Sequence, residues 1–143
     1  MRWKTRARDL PPRFAIGAFI LNSGLSKRDA DADAAGRLHG FASSTYPVLG
    51  KVDAPTFTRW LSTSEIALGA ALLAPVVPTA VAGAGLAAFA GGLLGLYLRT
   101  PGMRREGSLR PTEQGTALAK DIWLLGVGVG FVLDAVTSPR DRD

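Results

Sequence analysis

Between Glu65 and Arg99 the chain carries no charge at all. A helix needs ~20 apolar residues to cross the hydrocarbon of a bilayer, at a rise of ~1.5 Å each. The run Ile66–Leu98 is too long for one such span and nearly long enough for two. Pro75 and Pro78 interrupt it, with only Val76 and Val77 between them. Proline within a helix removes a backbone hydrogen bond and clashes with the preceding turn. The run is therefore expected to fold back on itself as two helices, over residues 57–74 and 80–98. Two further apolar runs lie outside it, at 10–26 and 117–137. The expected fold class is all-α: an integral membrane four-helix bundle, with residues 1–143 forming a single membrane domain.

The 10–26 segment follows a basic stretch that holds Arg2, Lys4, Arg6 and Arg8. A cleaved signal peptide would look similar. This run ends in Ser26-Lys27-Arg28-Asp29 with no small-x-small cleavage site, so it is expected to remain as the first span. Pro11 and Pro12 fall where a helix start tolerates them. Arg13 is expected to snorkel to the interface. The connection 27–59 is polar. Asp29, Asp31 and Asp33 suit a helix N-terminus. Ala30, Ala34, Leu38, Phe41 and Ala42 then recur every third or fourth residue, the pattern of an amphipathic helix in the first loop. Tyr46-Pro47 ends it, and Asp53 can cap the next helix.

The third segment is rich in glycine. In lipid such residues let helix backbones approach closely. Gly91/Gly95 and Gly126/Gly130 have GxxxG spacing and are expected to be packing surfaces. Residues 99–118 form a basic loop. An even number of spans puts both termini on one side. The basic N-terminus favours the cytoplasm for them, so the expected location is the inner (plasma) membrane of a bacterium, as a multi-pass protein. The excess of Arg over Lys, thirteen to four, suits a GC-rich bacterial genome.

A formal net charge of +5 could suggest nucleic acid. Here the basic residues flank apolar runs, where they meet lipid headgroups, and no base-stacking platform or recognition motif accompanies them. Without cysteine the chain carries no disulfide, thiolate metal site or thiol redox chemistry. His39 is the only histidine, which excludes a two-histidine haem within one chain. It lies on the amphipathic segment and is expected to be exposed. No metal ligand spacing, phosphate loop or nucleophile elbow is present.

Up-down connectivity places the end of span one, the start of span two, the end of span three and the start of span four on one face. Asn22, Lys27, Glu65, Arg99, Lys120 and Asp121 are expected to converge there as a polar intramembrane cluster. Glu65 constrains it most. A carboxylate at that depth costs several kcal/mol unless it is paired or protonated. Lys27, Arg99 or Lys120 could pair with it, and Asn22 could donate a hydrogen bond. Either a buried ion pair locks the helices, or the site binds a headgroup or takes up a proton. Trp60 and Trp123 read as interfacial anchors. The opposite face is expected to be nearly bare apart from Arg13 and Asp134.

Three pieces of the chain, in order, resemble the DoxX-like family of small four-helix bacterial membrane proteins. The first is Arg13 leading to Gly24-Leu25-Ser26-Lys27. The second is Glu65-Ile66-Ala67-Leu68-Gly69. The third is Lys120-Asp121 followed by Leu125-Gly126. The resemblance covers roughly residues 13–137. It implies a four-helix membrane bundle without bound metal, and an accessory role beside a redox enzyme, since the family is named for a subunit of a thiosulfate:quinone oxidoreductase. The long Asp-rich first loop and the long Arg/Pro third loop depart from the simplest family pattern. The expected function is a non-catalytic accessory or scaffold subunit of a membrane-associated, redox-linked complex. Its partners are the lipid bilayer and a membrane-associated oxidoreductase or other membrane protein. Two alternatives stay open: a quinone- or lipid-binding redox component that uses Glu65, with quinone as the cofactor, and a small-solute transporter acting as a homo-oligomer.

Overall fold

The computed structural model describes residues 5–138. The expectations that rest on Arg2, Lys4 and the tail from residue 139 lie outside the described residues. Six α-helices follow one another among them: α1 Leu10–Arg28, α2 Ala32–Thr45, α3 Ala54–Leu73, α4 Thr79–Arg99, α5 Thr116–Ala119 and α6 Asp121–Thr137. A turn at Lys120 separates α5 from α6, which together occupy Thr116–Thr137. No strand is present among the described residues; the one β-bridge, Arg104 to Pro111, tightens the loop before α5. Two helices, Thr79–Arg99 and Thr116–Thr137, are long and apolar enough to cross a membrane.

Local chemistry sets the helix ends. Pro11 and Pro12 occupy the first turn of α1, where their missing N–H groups are not needed. Asp31 starts α2 by accepting from the Ala34 amide at 2.8 Å, and Asp53 starts α3 by accepting from the Thr56 amide at 3.1 Å. The Thr56 hydroxyl, then its amide, hold the Asp53 carboxyl below its ordinary range. At the far end of α2, the Tyr46 hydroxyl reaches across to donate to the carbonyl of Gly92 on α4 at 2.7 Å.

The long helices pack as two antiparallel pairs, α1 with α3 and α4 with α6. Close backbone approach makes each pair. A Cβ placed on Gly69 would lie 2.6 Å from the Leu21 nitrogen, and one on Gly24 would lie 2.9 Å from the Ser62 carbonyl. In the second pair Gly83 and Gly128 face one another, each hypothetical Cβ 2.8 Å from the other's carbonyl oxygen. These are not the glycines that the GxxxG spacing singled out. Gly91, Gly126 and Gly130 face open space, and Gly95 receives the Tyr46 ring. Spacing reports which residues share a helix face but not which face meets a neighbour, and here the core selects the other one. A cluster of Ile20, Leu72, Ala82, Leu86 and Phe131 joins the two pairs, and α2 lies across α3 and reaches α4.

This packing makes a sharp contrast between glycines. Gly69→Ala drives a methyl into the backbone of α1, and overpacking of that kind costs about 1–3 kcal/mol. Gly130→Ala places its methyl in open space and gains helix propensity, up to about 1 kcal/mol. Unfolding titrations in mixed micelles, followed by circular dichroism, are expected to move in opposite directions for the two. Equal stability of Gly69→Ala and the parent would mean that α1 and α3 do not meet as described.

Candidate functional site

Two polar clusters lie at opposite ends of the bundle. The first holds Glu65, which α3 carries on the side facing α1 and buries to 4 % exposure. Lys27, one residue before the end of α1, donates to both carboxylate oxygens, at 3.0 and 3.2 Å. Its third hydrogen bond goes to the Ser23 hydroxyl one turn earlier, at 2.7 Å. Beneath the pair the buried Ser62 hydroxyl donates to the Gly24 carbonyl at 2.7 Å. Ser62 also sits three residues before Glu65, so both α3 side chains address the same stretch of α1. The lysine ammonium thus spends its three protons on three oxygens, and the carboxylate is neutralised where water is scarce.

Of the six residues expected to converge, Lys27 and Glu65 meet. The other four make no side-chain hydrogen bond to either of them among the described residues. Asn22 is exposed on α1, and Arg99 and Lys120 are exposed at the ends of α4 and α5. Asp121 is half-buried at the start of α6. The reason is the pairing of helices: α1 packs on α3, whereas Arg99, Lys120 and Asp121 belong to the α4/α6 pair. His39 is half-buried rather than exposed. Its Nε2 lies 2.8 Å from the Leu49 carbonyl, and its ring packs at a tilt against Phe57 with centroids 5.6 Å apart. Among the described residues no group of His, Cys, Asp or Glu is placed to hold a metal ion.

The second cluster occupies the end that was expected to be nearly bare. Arg13 does not snorkel. It is fully buried. Its Nε donates to the Leu72 carbonyl at 2.8 Å. One terminal nitrogen donates to the carbonyls of Ala71 and Ala74, both at 2.8 Å. The other serves the Val77 carbonyl, the Thr79 hydroxyl and the Thr5 hydroxyl, at 2.9, 2.9 and 3.0 Å. The last carbonyls of any helix lack intrahelical donors, and they form the negative end of its dipole. The turn Ala74–Pro78 offers them no glycine cap. A guanidinium, with five N–H groups in a fixed fork, answers that need.

Asp9 lies beside this centre, 6 % exposed. It accepts from the Arg6 amide at 3.1 Å and from the Thr79 hydroxyl at 3.2 Å. Arg6 donates to both oxygens of Asp134 on α6, at 2.9 and 3.1 Å, and Arg8 pairs with Asp134 as well. The segment before α1 is therefore tied to the end of α6. The sequence signal for this centre was present. An arginine inside an apolar helix faces a proline-terminated hairpin whose preceding helix has no C-cap residue.

Around Lys27 the surface is not closed. A cavity of ≈ 720 Å³ opens between the end of α1, the start of α2 and the first turns of α3, with Lys27, Thr58, Arg59 and Ser62 on its walls. A second, of ≈ 730 Å³, lies between α1 and α2 and includes Phe19, Leu38 and Phe41. No family model, curated protein or solved structure matches the chain.

Proposed function

We propose that this chain is a multi-pass integral membrane protein of DoxX-like type, with all four long helices crossing the bilayer. In it, the bundle is a non-catalytic accessory or scaffold subunit of a membrane-associated complex. The outward face of α4 and α6 carries this reading. In their most apolar stretches only 33 % and 11 % of the residues are buried inside the chain. The core helices of a water-soluble domain are mostly buried, and an exposed apolar surface of this extent favours contact with lipid or protein. Val81, Leu133 and Val136 stand outward, each more than half exposed. Arg13, Lys27 and Glu65 are turned inward with their hydrogen bonds made inside the chain, which lipid requires of deep ionic groups. Trp60 and Trp123, 57 % and 68 % exposed, lie near the starts of α3 and α6, at the end of the bundle shared by Lys27 and Glu65. That is where tryptophan meets headgroups.

The accessory role rests on the closure of the Lys27–Glu65 pair. Both partners have their hydrogen bonds, as in a lock between helices. The cavity beside Lys27 favours one alternative, a quinone- or lipid-binding redox component in which Glu65 handles a proton and a partner supplies the electrons.

Alkaline carbonate extraction tests the membrane placement. The protein is expected to stay in the membrane pellet and to leave it only with detergent; recovery in the carbonate supernatant would sink the proposal. Solvent extraction of the detergent-purified chain, with quinone measured by mass spectrometry, separates the two roles. Quinone at the level of an unrelated membrane protein is expected. Near-stoichiometric quinone that is lost in Glu65→Ala would replace the accessory role by the redox one.

A further inference from the structure

The ≈ 720 Å³ cavity is not explained by the Lys27–Glu65 lock. Its walls carry charges of both signs. Arg28 and Arg59 are exposed and make no ion pair or side-chain hydrogen bond among the described residues. Asp29 and Asp31 also line it. Asp31 spends one oxygen on the Ala34 amide, and the Asp29 carboxylate has no hydrogen-bond partner among the described residues. One further wall residue is Thr58, 5 % exposed. Its hydroxyl is buried with no hydrogen-bond partner, the only such side-chain atom among the described residues. A helical threonine ordinarily returns its hydroxyl to a carbonyl one turn back. A buried hydroxyl left alone costs about 1–3 kcal/mol unless something enters to satisfy it.

The second cavity continues the first. Both include Lys27 and Ala30. It runs along α1 from Lys27 past Ser26 and Asn22 to Phe19, with Leu38 and Phe41 of α2 opposite. At ~1.5 Å per residue, Arg28 and Phe19 are about 13 Å apart along the helix axis. Along α1 polarity therefore falls in order, from fixed charges through an amide and hydroxyls to aromatic carbon, while on the α2 side Arg37 adds a further guanidinium beside Leu38 and Phe41. Phe19 is 70 % exposed, so the apolar end is open to an occupant.

We propose that these two cavities form one site for a zwitterionic phospholipid of the phosphoethanolamine type. Arg28 and Arg59 hold the phosphodiester. Asp29 and Asp31 face the ammonium, and Thr58 supplies a further hydrogen bond once its buried hydroxyl rotates toward the cavity. Asn22 and Ser26 lie at the level of the glycerol esters, and an acyl chain follows the groove past Phe19, Leu38 and Phe41. The mixed lining is what selects this headgroup. An anionic lipid such as phosphatidylglycerol offers the two aspartates only neutral hydroxyls, without the charge of an ammonium. This inference rests on the membrane placement proposed above.

The test uses the full chain, purified from nanodiscs of equal parts phosphatidylethanolamine and phosphatidylglycerol and then released into mild detergent for native mass spectrometry. One retained phosphatidylethanolamine per chain is expected, in preference to phosphatidylglycerol. The double variant Arg28→Gln/Arg59→Gln removes two charge-assisted contacts from exposed positions. It is expected to lower retention by about tenfold or more with an unchanged circular dichroism spectrum. Asp29→Asn is expected to abolish the preference between the two lipids while some phospholipid stays bound. Equal retention of both lipids by the parent chain, or undiminished retention by the double variant, would overturn the site. So would full displacement of the lipid by soluble phosphoethanolamine, which would show that the headgroup alone is recognised. Carbonate-resistant protein without retained lipid removes this site and leaves the membrane placement standing; carbonate-soluble protein removes both.

Discussion

Arg13→Ala is expected to be the most damaging single substitution in the chain. The guanidinium is fully buried and serves four backbone carbonyls and two hydroxyls. Its removal leaves the carbonyls of Ala71, Leu72, Ala74 and Val77 without that donor. Hydrogen bonds to a charged group are worth about 1.5–3 kcal/mol each, and water recovers only part of this in a buried site. A loss of about 4 kcal/mol or more follows, measured as the shift of the unfolding midpoint in mixed micelles by circular dichroism. Arg13→Lys keeps the charge but has three donors on a single nitrogen in place of a planar fork. It should fall between the parent and Arg13→Ala. The carbonyls of α3 cannot be what Arg13 serves if Arg13→Lys matches the parent. The end of α3 and the Pro75–Pro78 turn should also lose hydrogen-exchange protection first, because they lose the donor directly. Asp9 stands beside the guanidinium, so Asp9→Asn should destabilise in the same direction and by less.

The second large effect belongs to Lys27 and Glu65. Removing one partner of a buried pair strands the other charge, at a cost of about 3–5 kcal/mol; replacing both with apolar residues of similar size is often near neutral. Lys27→Met and Glu65→Leu are each expected to destabilise strongly, and the double variant to regain most of the loss. In a double-mutant cycle this appears as a coupling energy above about 1 kcal/mol. A coupling near zero would show that the 3.0 Å contact contributes nothing. The proposed accessory role adds a functional readout. Glu65→Gln keeps an oxygen acceptor for Lys27, so assembly with a partner should survive wherever the fold does. Loss of a membrane redox activity with the helices intact would instead give Glu65 a proton-handling role.

A helix hairpin around Pro75–Pro78 was legible from the charge-free run and its two prolines. So were the helical character of 10–26 and 117–137, the amphipathic α2 with aspartates at its start, and the cap at Asp53. These features depend on contacts within about four residues, or on an average property of a segment, and a linear pattern contains both. Pairing of Glu65 with one of three named cations was legible too, because a buried carboxylate demands a counter-charge. Which cation it is was not. That depends on α1 packing against α3 through Gly24 and Gly69, and only the three-dimensional fit of backbones selects those glycines over the GxxxG pairs. The same holds for Arg13. Hydropathy assigns an arginine near a helix end to the interface, because it weighs each side chain against lipid or water alone. In the folded chain a third environment exists, the uncapped carbonyl end of α3. It forms only when α3 ends beside α1, and it turns the costliest residue of the first apolar segment into the cap of another helix.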